Sequence, residues 1–224
     1  MAKMLGEILL LGLGVMISPF SITLVIFLIL QRRGVSTPAV FVAGRVAGVF
    51  IVLFSVLAFF HNLDFSPEST SSHVSAAVKV AIGALLLLFA LLFALSKSDS
   101  EDRGWLRRRL GSMERLSLPA AAGLGFALSI ISPRCLFLTL AAAATILHAN
   151  MGATGDVLGL VLFIIIANLA VLAPLIIYIT SPEKSSPILE SMRGWLTRHQ
   201  RALVLSILLV LGTYLVIRGT LDLL

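Results

Sequence analysis

Charge is scarce in this chain of 224 residues. Asp, Glu, Lys and Arg together make up 12% and hydrophobic residues 58%, whereas ordinary soluble domains are about 25% charged. That leaves too little polar surface to cover a soluble globule, so the composition implies an integral membrane protein. Cysteine is limited to Cys135, which excludes an intrachain disulfide and a two-cysteine thiol relay and leaves the redox compartment open. The histidines, His61, His73, His148 and His199, fall in loops or at the ends of apolar runs. Neither a buried Ser–His pair nor a metal cluster is therefore expected. No glycine loop with its lysine is present to cradle a phosphate, so a nucleotide-driven engine would have to be another chain. These absences argue against an enzyme, and no cofactor or metal is expected. Carboxylates are missing from the middle of every apolar run, with Glu7, Asp156 and Asp222 all near ends.

What is present is length. About 20 apolar residues cross a bilayer, with a range of about 17–25. Six runs qualify: Met4–Leu30, Pro38–Phe60, Val74–Leu95, Pro119–His148, Gly155–Thr180 and Ala202–Leu221. Barrel strands would alternate with period two, and these runs are apolar on all sides. The first run is too long for a signal-peptide core of roughly 7–15 residues and lacks a cleavage site, so it is expected to be retained.

The connections differ in charge. Residues 31–37 carry Arg32 and Arg33, residues 96–118 carry Lys97, Arg103, Arg107, Arg108, Arg109 and Arg115, and residues 181–201 carry Lys184, Arg193, Arg198 and Arg201. Residues 61–73 and 149–154 contain no Lys or Arg. With six spans the three basic connections share one face, which the positive-inside rule makes cytoplasmic and which puts both termini outside; Lys3 alone opposes this. The net charge of +6 thus reads as topology and lipid contact and not as nucleic-acid binding. Two segments, "GWLRRRLGSMERL" and "ILESMRGWLTRHQRAL", pair Trp with basic residues as a helix in the headgroup layer would; stop-transfer charge with aromatic anchoring is the plainer account. "SKSDSEDRG" reads as a solvated linker.

The first run contains "GLGVMISPFSITL" and the fourth "GLGFALSIISPRCLFLTL", each with Gly-Leu-Gly and then Ser-Pro. Because three spans is an odd number, a repeated three-span half enters the membrane from the opposite face. The expected fold is all-α, with six transmembrane helices arranged as two inverted three-helix repeats and the first and fourth spans broken or kinked. The halves are residues 1–95 and 119–224, joined by a basic linker, 96–118.

Proline removes a backbone hydrogen bond and clashes one turn back, and bare backbone groups in hydrocarbon cost several kcal/mol. A single proline reads as a packing kink. Pro19 and Pro133 as a matched pair, each preceded by a serine (Ser18, Ser132), read as a functional break. Arg134 lies near the centre of its run, where insertion scales price arginine at about +2.5 to +3.5 kcal/mol, so it should face the interior with a partner or a task. Arg45, in "GRVAG", sits among small residues that permit close helix approach; the Ala141–Ala144 run reads likewise. Lys79 and Arg218 lie nearer span ends and read as snorkelling, Arg218 with Asp222 as a helical partner. Asn168 and Pro174 form a further polar and helix-breaking site, with Asn168 either bridging helices or touching substrate. A buried positive charge without a central acid suggests an anionic group supplied from outside, such as a carboxylate, phosphate or sulfate.

"ISPFSITLVIFLI", "RRG" and "FVAGRVAGVF" in the first half resemble the GAP family of actinobacteria, the sulfolipid- or peptidoglycolipid-addressing proteins within the lysine-exporter (LysE) superfamily. "SPRCLFLTLAAAATI" is similar to that family's Asn-Pro-Lys-Asn segment, and "ANLAVLAPLIIY" and "WLTRHQRAL…LGTYLVIRG" also fit. Ser132, Arg134 and Cys135 replace the family's Asn, Lys and Asn, which keeps the charge and loses the amides. The resemblance implies a six-span inner-membrane protein that helps deliver cell-envelope glycolipids, with Ser18, Pro19, Ser132, Pro133 and Arg134 lining the pathway. The leading expectation is therefore export of an anionic lipid or glycolipid, the headgroup held near the midplane by Arg134 with Arg45. Two rivals stand beside it: a small-solute exporter for amino-acid-like metabolites, and a non-transporting scaffold for a larger lipid exporter. Small-residue faces could also support a homodimer.

Overall fold

A computed structural model describes residues 2–32, 34–61, 70–95, 117–149 and 152–223. These residues form eight α-helices and no strand: α1 Ala2–Met16, α2 Pro19–Arg32, α3 Ser36–His61, α4 Thr70–Leu95, α5 Leu118–Ile131, α6 Pro133–Ala149, α7 Gly152–Thr180 and α8 Pro182–Leu223. The chain is a multi-pass membrane protein. By length and hydropathy, Ser36–Phe59, Gly152–Thr180 and Ser185–Leu221 are uninterrupted spans. The bent pairs α1–α2 and α5–α6 bring the number to as many as five. In α4 the apolar portion is Val80–Leu95. The linker residues 96–116, including "GWLRRRLGSMERL", lie outside the described residues, as does the side chain of Lys79.

Both long runs break where the sequence places Ser-Pro. The bend is 52° between α1 and α2 and 68° between α5 and α6. A residue before proline is pushed out of the helical region, and Ser132 is accordingly extended, with φ −71° and ψ 108°. Pro19 and Pro133 each begin the next helix, the position where the missing N–H costs nothing and the fixed φ is already helical. Each proline therefore ends one helix and starts another.

Two expectations are corrected. Pro174 breaks nothing, because α7 runs uninterrupted through it; the proline is buried in the helix and its loss of one hydrogen bond is absorbed there. The amphipathic "ILESMRGWLTRHQRAL" is also not a separate surface helix. It continues into the last span as one 42-residue helix, α8. Its apolar face explains this: Leu189 and Leu196 are buried with α2 residues such as Ile22 and Ile29, and the Arg193 guanidinium lies 5.3 Å from the Phe27 ring centre.

The packing comes in matched pairs. Helix α3 packs on α5 and α1 on α7; α2 packs on α8 and α4 on α6; α4 and α8 form one long seam. With lipid on both sides of the comparison, such contacts rest on close van der Waals approach. The α3–α5 contact is backbone to backbone: a Cβ on Gly44 would run into the Ala122 carbonyl, and one on Gly125 into the Phe41 carbonyl. The expectation for "GRVAG" holds, and Ala141, Ala142 and Ala143 are fully buried as well. The core forms two apolar clusters, one around Leu11, Leu53, Leu86, Leu138 and Phe163, the other around Val25, Ile29, Phe41 and Val171. Val15 belongs to the first and Ile22 to the second, so the α1–α2 break falls between them.

Candidate anion site at the paired helix breaks

The two breaks meet through Arg134. Its Nη1 donates to the carbonyl oxygen of Ile17 at 2.8 Å, an oxygen whose position just before Pro19 puts it at the open end of α1. The next carbonyls are recovered within the chain: Ser18 accepts from the Ile22 N–H at 3.1 Å, and Ser132 from Leu136 at 3.0 Å. A charge on the second break thus satisfies a backbone group freed by the first, as a dry interior demands.

Arg45 approaches from α3. It is 1% exposed, and its Nη1 donates to Ser21 Oγ at 2.8 Å. Ser21 Oγ is in turn 3.1 Å from Ser18 Oγ. Ser129 on α5 donates to the Arg45 carbonyl at 3.0 Å and to the Gly125 carbonyl at 3.2 Å. The remaining donors of Arg45, Nε and Nη2, are buried without a hydrogen-bond partner. A guanidinium has five donors and no acceptor, so two unmet nitrogens on a buried cation call for an acceptor.

A cavity of about 160 Å³ lies at this junction, its polar wall made by Ser18, Ser21, Ser132 and Arg134. Phe89 and Phe93 of α4, Leu128 of α5 and Gln200 of α8 also line it. The first turns of α2 and α6 both border the cavity, and helix N-termini carry partial positive charge and free N–H groups. Two such termini, a guanidinium and serine hydroxyls can bind one oxyanion.

Of the residues singled out in the sequence, Ser18, Pro19, Ser132, Pro133 and Arg134 come together around this cavity. Arg45 is joined to it through Ser21. Asn168 and Pro174 are not among its lining residues. Asn168 Nδ2 donates to Ile164 in its own helix at 2.8 Å, and its Oδ1 is buried without a partner. Ser21, Ser129, Phe89, Phe93 and Gln200 were not anticipated. Ser21 had a signal, standing three residues after Ser18 on a helical face; the others are set by tertiary contact. Glu7 also departs from expectation. It is 5% exposed inside α1 and accepts from Thr145 Oγ1 of α6 at 3.3 Å, so one carboxylate is buried despite its place near the start of a run. Arg218 lies over the Tyr214 ring, 6.0 Å from its centre.

A family model described as Sap, sulfolipid-1-addressing protein, matches residues 8–220. No curated protein and no solved structure matches the chain.

Proposed function

Since the chain belongs to the sulfolipid-1-addressing protein family, we propose that it exports an anionic lipid or glycolipid of the cell envelope. The headgroup binds at the paired breaks, held by Arg134 and Arg45. The observation that carries this reading is the cavity bordered by Arg134 and two helix N-termini, to which the buried Arg45 is joined through Ser21.

The fold in this reading has six spans, α4 included, as two inverted repeats: α1–α4 and α5–α8. The matched packing supports it, because exchanging the halves turns the α1–α7 contact into α5–α3 and the α2–α8 contact into α6–α4. The protein sits in the inner membrane with its basic connections cytoplasmic and both termini outside. It performs no covalent chemistry, works as a homodimer or beside a larger lipid-export machinery, and shares ancestry with the lysine-exporter superfamily.

Arg134→Ala tests the assignment. Export of the envelope lipid should be lost while folded protein remains in the membrane, measured as surface-exposed lipid in cells carrying only the variant. Export at the unsubstituted level would refute it.

A further inference from the structure

The two breaks are alike in sequence and unlike in surroundings. Pro19 is buried, whereas Pro133 is exposed and Ile131 beside it is 73% exposed. The same asymmetry appears in the seams. In the matched packing, α1 against α8 corresponds to α5 against α4. Helices α1 and α8 meet, with Leu211 so close that a Cβ on Gly14 would run into it. Among the described residues, α4 and α5 make at most a marginal packing contact. The cavity reaches this gap, where Phe89 and Phe93 of α4 stand on one side and Leu128 of α5 on the other. The cavity wall is therefore polar at the breaks and apolar where α4 and α5 border it.

We propose that the gap between α4 and α5 is a lateral portal, through which the headgroup of a membrane lipid enters while its acyl chains stay against Phe89, Phe93 and Leu128. This rests on the reading of the cavity as a headgroup site and adds the route. About 160 Å³ holds one anionic group and not a glycolipid, so the rest of the molecule has to lie outside it. The exposed surface of both helices is apolar: Leu88, Leu92 and Leu95 on α4 and Ile131 on α5 are all more than half exposed. The occupant that matches is an amphiphile with an oxyanion at one end and hydrocarbon at the other. The sequence between α4 and α5, residues 96–116, carries six Lys and Arg residues against four Asp and Glu, a small positive excess that favours anionic lipids. On the opposite half the corresponding helices, α1 and α8, meet at Gly14 and Leu211.

The test uses the full chain in lipid nanodiscs with two probes, a sulfated galactolipid and inorganic sulfate. In Phe93→Cys/Leu128→Cys, a reducible bis-thiol crosslinker should cut lipid binding at least tenfold more than it cuts sulfate binding, each measured against the same variant with the crosslink reduced, and reductant should reverse the loss. Unchanged lipid binding in the crosslinked protein would overturn the portal and leave the anion site standing. Failure of both probes to bind the unsubstituted protein would remove the anion site, and the portal with it. A second measurement needs no substitution. A lipid with a photoreactive acyl chain should label α4 between Phe89 and Phe93 or α5 near Leu128, and labelling confined to other helices would overturn the portal independently.

Discussion

Arg134 on α6 and Ile17 at the end of α1 are joined by a 2.8 Å hydrogen bond from guanidinium to carbonyl, so the helix breaks in the two halves of the chain act as one structure. A ligand that draws Arg134 toward itself must loosen the same bond. In the proposed function, a headgroup that takes over the Nη1 donor would couple its binding to the geometry of the first break.

This coupling distinguishes Arg134→Lys from Arg134→Ala. Lysine keeps the charge and can still donate to Ile17, but it loses the planar fork that meets an oxyanion with two parallel bonds. Arg134→Lys should keep near-normal thermal stability in detergent and bind the sulfated lipid roughly tenfold more weakly. Arg134→Ala should also lose the charged hydrogen bond to Ile17, about 1.5–3 kcal/mol of stability. Differential scanning fluorimetry alongside lipid binding separates the two effects.

Arg45 and Ser21 should respond in opposite directions. Ser21 supplies the hydrogen-bond partner of the Arg45 side chain. Ser21→Ala leaves the guanidinium with no acceptor and should cost roughly 1–3 kcal/mol. Arg45→Met removes a buried and under-satisfied charge from an apolar site, a change that is often neutral or stabilising. It should raise or preserve the melting temperature while lowering affinity for inorganic sulfate. A large drop in melting temperature for Arg45→Met would show that the guanidinium is structural.

The α3–α5 seam gives a prediction that does not depend on ligand. A Cβ on Gly125 would collide with the Phe41 carbonyl and crowd the Arg45 N–H, 3.0 Å away. Backbone cannot step aside as a side chain can, so Gly125→Val should destabilise by more than the roughly 1–3 kcal/mol usual for overpacking. Gly123→Val on the same helix meets nothing within 4 Å and should be tolerated. The pair can be compared by the fraction of monodisperse protein recovered after mild heating.

The paired Ser-Pro breaks were legible because proline acts locally, through its own ring and the residue before it, and needs no knowledge of the fold. The buried arginines were legible because an isolated charge in an apolar run has so few permitted environments. Pro174 misled for the same reason: local chemistry marks where a helix is weakened, and only the packing around α7 decides whether it breaks. Glu7 was hidden by its position near the start of a run, since α1 is a short half-helix that packs against both α6 and α7. Phe89, Phe93 and Gln200 carry no signal at all, being ordinary residues on helices that happen to border the cavity.

Glu7 yields the last prediction. Its carboxylate accepts from Thr145 across the α1–α6 contact at 3.3 Å, on the half of the molecule away from the portal. Thr145→Val preserves shape and removes the donor, leaving a buried carboxylate with one hydrogen bond fewer, at a cost of about 1–3 kcal/mol. If this contact holds α1 against α6 while the portal is open, Thr145→Val should also loosen the far side. Amide hydrogen exchange in α1 from Leu5 to Val15 should then rise at least tenfold in Thr145→Val, while exchange in the α3–α5 seam stays unchanged. A uniform rise in both would mean general destabilisation, and no rise in α1 would mean that the bond seals nothing.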